Sequence, residues 1–475
     1  MKKILKHSLF LILTALTLLS FASCGWFGGD GPVDLSKLEG RKLADALLRE
    51  SDRAMDSLGS YVTEGETSFS MTVDNLTYLT TSTYTTKETG IGTDDYRTTT
   101  MTETLNFIDG KKQDSVFNKH GYQNGKAYFV TLVDGFYSEI CGTLSLEDYV
   151  NRVVLSSDSG ESNISAGAVT DDYTAASAER LEGGDIRASY SGFGEKTKDA
   201  FKGTTEILDE TYDDILIKDV KLNVLYTSDA KIKEIEMSLE FGGVKWIDEE
   251  DLPKLSLKIK FSSFNEDVEI ELNHADFTDI GDLNEVYKLI DILNAEKQSE
   301  SGSFTYSANQ TKGIQKSSEY HTTEYYTNRK GRLVYKIGVT GLVQTYKEGV
   351  ITLKQNGEAA YAPSTDRIER ERLGSLIDAA ELSVEKVTSI KKTVNQNETV
   401  YELTLAFNDT PAHRNSHKDA YGKHNLSDCV AEVKITVKDG RLSTYEYNVT
   451  AKIYYGTRYD DFTYTSTCDI NEPKN

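Results

Sequence analysis

The chain has little of what would commit it to a specialised class. Four cysteines in 475 residues exclude a mini-scaffold held by disulfides. Five prolines exclude a Pro-rich stalk. Basic residues are outnumbered, 53 Lys and Arg against 76 Asp and Glu, for a formal net charge of −23. Binding nucleic acid needs cations to neutralise phosphates, so nucleic acid is excluded as a partner. The same balance works against electrostatic adsorption to anionic headgroups. No apolar run after the first segment approaches the roughly 18 residues of a membrane-spanning helix. No Gly-x-Ser-x-Gly elbow, P-loop or dinucleotide fingerprint occurs, so the expectation is a non-enzyme without a cofactor. A length of 475 residues fits about three domains at ~150 each, or two large ones.

What is present begins at the N-terminus. Lys2, Lys3 and Lys6 form a positive segment, and Leu9 to Ala22 is apolar and uncharged. It closes on Leu19-Ser20-Phe21-Ala22-Ser23-Cys24. This resembles a bacterial lipoprotein lipobox, with Phe21 where Leu is commoner. The resemblance implies residues 1–23 as a signal peptide, cleavage before Cys24, and palmitate-type acylation of Cys24. The location it implies is the extracytoplasmic side of the cell membrane. An ordinary secretory signal is the alternative. Removing three lysines and no acid takes −23 to −26 for the mature chain. Residues 24–34, with Trp26, Phe27 and four glycines, read as a flexible tether. Two or three acyl chains, at about 0.8 kcal/mol per buried CH₂, anchor a protein without help from its charge.

The remainder lays out as two copies of one unit, 35–280 and 281–475. Each opens on a predicted amphipathic helix. Leu38, Ala44, Leu47, Leu48 and Met55 form the stripe over 36–58, and Leu283, Val286, Leu289, Ile290 and Leu293 over 282–296. Asp282 is a candidate N-cap, with Glu285 three residues on. Extended Tyr/Thr/Ser stretches follow at Ser60–Thr63 and Ser303–Tyr306. The Thr-rich 79–104 stretch reads as strand with a turn at Gly90–Gly92. Asn124-Gly125 signals a hairpin. A short helix comes next in each copy, Ser145–Leu155 and Arg367–Leu382, and 156–178 reads as a long loop. Each copy ends in three alternating strands. In the first they carry Leu222 and Val224, then Ile235, Met237, Leu239 and Phe241, then Leu255 to Phe261. In the second they carry Val433 and Ile435, then Tyr445, Tyr447 and Val449, then Phe462 to Ile470. Period-two alternation buries one face and wets the other, as in antiparallel sheet. The fold class expected is α+β, mainly β.

The order helix, Tyr-rich strands, Tyr122-x-x-Gly125-Lys126 hairpin, helix, strands resembles the LolA/LppX-type lipoprotein carrier superfamily, in both halves. That resemblance implies two tandem curved antiparallel half-barrels with helices on the concave face, holding an acyl chain or other hydrophobic molecule. The inward alternating positions Leu222, Val224, Met237, Leu239, Val433, Ile435, Tyr447 and Val449 are then the candidate ligand-binding residues. They are equally the default core. The rival is a surface module contacting an envelope protein or glycan through an acidic, Tyr-rich face.

Other constellations are weaker. His413 and His417 share an i, i+4 spacing, and His424 lies nearby, but Arg414, Lys418 and Lys423 oppose a cation, so no metal site is expected. Cys429 and Cys468 sit on the first and third strands of a meander. Strands two apart are ~9.6 Å apart, beyond disulfide reach, so both read as core residues and Cys141 as a buried thiol. The acidic run Asp248–Asp251 beside Trp246 reads as a solvated loop rather than a glycosidase pair.

Overall fold

The computed structural model describes residues 33–73, 76–133, 136–154, 172–201, 215–243, 252–297, 301–327, 333–339, 342–347, 350–355, 358–359, 382–405, 426–454 and 459–471. Cys24 and the tether up to residue 32 lie outside them. So do His413, His417, His424, Asp248–Asp251, the Cys429 side chain and all but the last residue of the helix expected over 367–382.

A 3-10 turn, Leu35–Lys37, leads into helix α1, Gly40–Asp56. Six strands follow: β1 (Ser60–Val73), β2 (Leu76–Thr89), β3 (Arg97–Ile108), β4 (Lys111–Gln123), β5 (Lys126–Val133) and β6 (Phe136–Thr143). Helix α2 (Leu146–Tyr149) runs into a π turn, Val150–Val154. Next come β7 (Tyr173–Arg180), β8 (Ile186–Phe193), the short α3 (Glu195–Ala200), β9 (Leu216–Tyr226), β10 (Ile232–Gly242), β11 (Lys254–Ser262) and β12 (Thr278–Asp282). Helix α4 (Leu283–Lys297) precedes β13 (Ser301–Lys312), β14 (Gln315–Thr327), β15 (Leu333–Val339), β16 (Leu342–Lys347), β17 (Val350–Gln355) and β18 (Glu358–Ala359). The chain continues through β19 (Val387–Asn395), β20 (Glu398–Leu405), β21 (Leu426–Lys438), β22 (Arg441–Tyr454) and β23 (Tyr459–Asn471).

The chain packs as two units, Met1–Gly135 with Leu144–His274, and Phe136–Thr143 with Ala275–Asn475. In the first unit the strands order as β5-β4-β3-β2-β1-β11-β10-β9-β8-β7. In the second they order as β18-β17-β16-β15-β14-β13-β23-β22-β21-β20-β19. Each sheet is thus built from the middle outward. The first strand pairs antiparallel with the last, β1 with β11 and β13 with β23. Early strands meander to one side and late strands to the other. Neither sheet closes into a barrel. The protein is mainly β with packed helices, as the alternation predicts.

Local chemistry explains the turns. Asn124 and Gly125 take φ of 54° and 75°, the left-handed pair that lets β4 and β5 form a two-residue hairpin. Asp439 and Gly440 repeat it between β21 and β22, at 52° and 81°. Both C-terminal hairpins carry a bulge one or two residues into their second strand, at Lys233 and at Ser443. A bulge there strengthens twist without changing which face is buried beyond it.

In the first unit α1 lays Leu43, Ala44, Leu47 and Met55 on the apolar face of β8 to β11. Polar clasps hold its other edge. The Tyr190 hydroxyl donates to the Ala44 carbonyl at 2.8 Å, Tyr173 to Asp45 at 2.7 Å, and Arg180 to the Leu35 carbonyl at 2.6 Å. In the second unit α4 buries Leu283, Val286, Leu289 and Leu293, with Ile290 only half-buried. Asp282 caps it, accepting from the Asn284 N–H at 3.0 Å. Glu285 does not reach back to complete a capping box. Its carboxylate instead takes Lys392 of β19 at 2.8 Å and the Tyr401 hydroxyl of β20 at 3.1 Å. Glu296 at the far end takes Arg441 of β22 at 3.1 Å.

Strand β6 belongs with the second unit, pairing in parallel with β12 beside α4. Gly142 makes this approach possible. A Cβ there would lie 2.6 Å from the Gly281 carbonyl and 2.8 Å from Leu283. The loop expected over 156–178 is corrected at its end, where Tyr173–Arg180 is an edge strand paired with β8. Only Tyr173 of that strand is buried, so it shows no alternation to read. Cys141 and Cys468 are buried thiols outside any disulfide. β22 lies between β21 and β23, the separation that bars a Cys429–Cys468 bridge.

Candidate functional site

The expected ligand residues fall on one face in each sheet. Leu222 and Val224 pair with Met237 and Ile235, and Leu239 continues the row. Val433 pairs with Tyr447 across β21 and β22, and Ile435 and Val449 share that face. All eight are at most 5% exposed. The first four belong to the same continuous core as Leu43, Ala44 and Leu47 of α1. At these positions sheet and helix pack directly on one another.

In the first unit that face continues past the helix-covered half onto β1 to β4, and its chemistry changes. The pairing registers define cross-strand rows. Tyr61, Glu88, Thr98 and Tyr122 make the first. Thr63, Thr86, Thr100 and His120 make the second. Gly65, Tyr84, Thr102 and Asn118 make the third, and Thr67, Ser82, Thr104 and Val116 the fourth. Through β11 these rows continue as Phe261, Ile259 and Leu257. An aliphatic half and a hydroxyl-rich half therefore share one surface.

Hydroxyl pairs tie the polar half together. Thr86 meets Thr100 at 3.0 Å, Ser82 meets Thr104 at 2.9 Å, and Thr80 donates to Asn106 at 2.7 Å. Thr67 is fully buried, yet its Oγ1 has no hydrogen-bond partner among the described residues. Gly65 is required opposite Tyr84, because a Cβ would overlap the Tyr84 ring. The tyrosine lies across the glycine and covers the bare backbone.

Glu88 is the one acid in these rows, and the hydroxyls of Tyr61 and Tyr96 donate to its carboxylate. Burial pushes the Glu88 carboxyl above the usual carboxylate range, against the lowering effect of those two bonds. Burial, and then the Glu88 charge, raise both phenols. At the far edge His120 Nδ1 meets the hydroxyl of the buried Tyr149 at 2.9 Å. Burial drops the His120 pKa to about 4, so its ring is neutral at physiological pH. Ser145 caps α2 through the Asp148 N–H at 3.0 Å and so aims Tyr149 at this corner, where its ring also meets that of Tyr122. Tyr61, Tyr84, Glu88, Tyr96 and His120 are all half-buried. Groups that are desolvated while still reached by solvent line a recess rather than a packed core or an open plain.

The opposite face of the same strands is closed. Residues 263–276 cross it, with Ser60 donating to the Glu266 carbonyl, Lys87 to that of Glu269 and Lys119 to that of Glu271. An open cleft of about 500 Å³ also lies where the chain enters α1, lined by Asp34, Glu50, Arg53 and Asp229 among others. Its acids are each paired, Glu50 with Arg53 at 3.0 Å, Asp34 with Lys37 at 2.7 Å and Asp229 with Lys231 at 2.9 Å.

Sequence reasoning placed Tyr61, Tyr122 and Tyr149 on their elements but assigned the recess to none of them, and it passed over Glu88, Tyr96 and His120. Threonine occupies both parities of 80–104, so alternation does not say which side chains share a face there. Only strand pairing does.

No protein-family model matches the chain, and no curated protein matches it in sequence. Among solved structures it is similar to the lipoprotein LppX of Mycobacterium tuberculosis, at 11% identity and a TM-score of 0.25, covering 49% of this chain and 100% of that one. LprF of Mycobacterium bovis aligns at 10% identity and a TM-score of 0.20, over 40% of this chain and 92% of that one. A LolA-superfamily protein of Nitrosomonas europaea aligns at 7% identity and 0.13, over 38% and 91%.

Proposed function

We propose that the chain is a non-catalytic lipoprotein of the cell envelope, anchored through acylated Cys24, whose tandem units bind or carry a hydrophobic, acyl-chain-like ligand. The observation that carries this reading is the single sheet face of the first unit, aliphatic under α1 and hydroxyl-lined and half-open beyond it. An amphiphile needs such a pair of surfaces. Each CH₂ moved from water contributes about 0.8 kcal/mol, and a polar end needs partners where it stops. Leu222, Val224, Met237 and Leu239 would meet an acyl chain where α1 yields, and Val433, Ile435, Tyr447 and Val449 would do so in the second unit. Among the described residues no helix is long and apolar enough to cross a membrane.

A second reading has its own support. The eight inward residues are packed as core, and a filled interior suits a module that contacts an envelope protein or glycan from outside. Native mass spectrometry separates the two. The chain from Gly25 onward, purified without detergent, is weighed before and after solvent extraction. A lipid-sized mass lost on extraction, and absent from Met237→Lys, supports the carrier. A clean apo mass that stays unchanged after mixing with envelope lipids sinks it and leaves the contact module.

A further inference from the structure

We infer that the Tyr61–Glu88–Tyr96–His120 recess of the first unit selects an uncharged, hydroxyl-bearing headgroup and rejects an anionic one; this rests on the carrier reading and names its ligand class.

The argument is one of charge placement. In the four rows linking Tyr61 to Tyr122 and Thr67 to Val116, none of the described residues is Lys or Arg. Lys87 and Lys119, next to these rows on β2 and β4, project from the other face and bind carbonyls of the 263–276 crossing. Arg152, on the π turn after Tyr149, already has a partner of its own. The ring of His120 supplies no charge either, being neutral. A phosphate entering this recess would lose water, gain no cation, and meet the one acid, Glu88. Burying an unpaired anion is among the costliest things a protein surface can do.

A neutral polyol meets the opposite situation. Each Thr and Tyr hydroxyl can both donate and accept, and Asn118 adds an amide that does both. The Glu88 carboxyl accepts from a sugar-type hydroxyl as it accepts from Tyr61 and Tyr96. Tyr61 and Tyr84 offer ring surface to the C–H faces of a sugar-like group.

The test uses the full mature chain carrying Cys24→Ser, so that its own anchor does not contribute. Binding is titrated with three lipids of identical acyl chains: monoglucosyl diacylglycerol, diacylglycerol and phosphatidylglycerol. The glucosyl lipid is expected to bind at least tenfold more tightly than phosphatidylglycerol. Thr86→Lys places a cation in the second row and is expected to shrink that ratio at least tenfold. Thr102→Lys, one row over and also half-buried, serves as the second variant should the first fail to fold. Equal binding of phosphatidylglycerol and the glucosyl lipid, or a ratio that either folded lysine variant leaves unchanged, overturns the headgroup assignment and leaves the carrier reading standing. Absence of binding by all three lipids to folded protein overturns the carrier reading, and the headgroup assignment with it.

Discussion

At the scale of the residue, the protein's unusual chemistry is a histidine and an acid on one sheet face, each with its charged form opposed by burial. His120 has an ordinary value of 6.5 and stands at about 4 in the fold because burial opposes its charge. The unfolded chain takes up that proton as pH falls through 6.5, while the folded chain does not. Stability is therefore lost progressively between pH 6.5 and about 4, and the loss is complete below. Urea unfolding at pH 7 and pH 4.5 checks it. The drop in midpoint between the two is expected to be smaller in His120→Asn than in the native chain. An equal drop would place the ring in solvent. Glu88 works in the other direction. Its raised pKa makes the fold hold a proton that the unfolded chain releases, so its contribution weakens as pH rises through the shifted value.

At the scale of the element, helices here do the covering and strands the framing. Helix α4 shows how narrow the buried stripe is. Leu289 is fully buried while Ile290, its neighbour in sequence, is turned partly out. Leu289→Ala is expected to cost roughly 2–5 kcal/mol, as for other core deletions that leave a cavity. Ile290→Ala is expected to cost well under half of that, and denaturant titration of both gives the comparison. The stripe itself was legible, because Leu283, Val286, Leu289 and Leu293 recur at three- and four-residue spacing. The partner of Glu285 was not. A capping-box pattern is local, whereas Lys392 and Tyr401 come from strands more than a hundred residues away, and an ion pair with a phenol bond outcompetes a single bond to the cap.

At the scale of the whole molecule, the two strand orders repeat one plan, from β1–β5 and β7–β11 to β13–β17 and β19–β23. The second unit is nonetheless not one stretch of chain, since it uses β6 from residues 136–143. β6 supplies Gly142 against Leu283, and Ser138 donates to the Glu385 carbonyl at 2.7 Å. A fragment of residues 283–475 lacks both β6 and β12. It is expected to bind a hydrophobic dye and to unfold at lower denaturant than the same unit in the full chain. A fragment that unfolds cooperatively at the full chain's midpoint would show β6 to be dispensable.

The sequence by itself determined the mainly β class, the two leading helices, the hairpin at Asn124-Gly125 and the buried parity of the last three strands in each half. These follow from short-range rules, namely period, turn conformation and apolar alternation. The edge strand β7, the placing of β6 with the second unit and the recess around Glu88 were decided by tertiary structure. A Thr-rich strand is polar on both parities and carries no sign of which side will be covered. Pairing β1 to β4 in register brings Tyr61, Glu88 and His120 onto one face, and burial there gives them their chemistry.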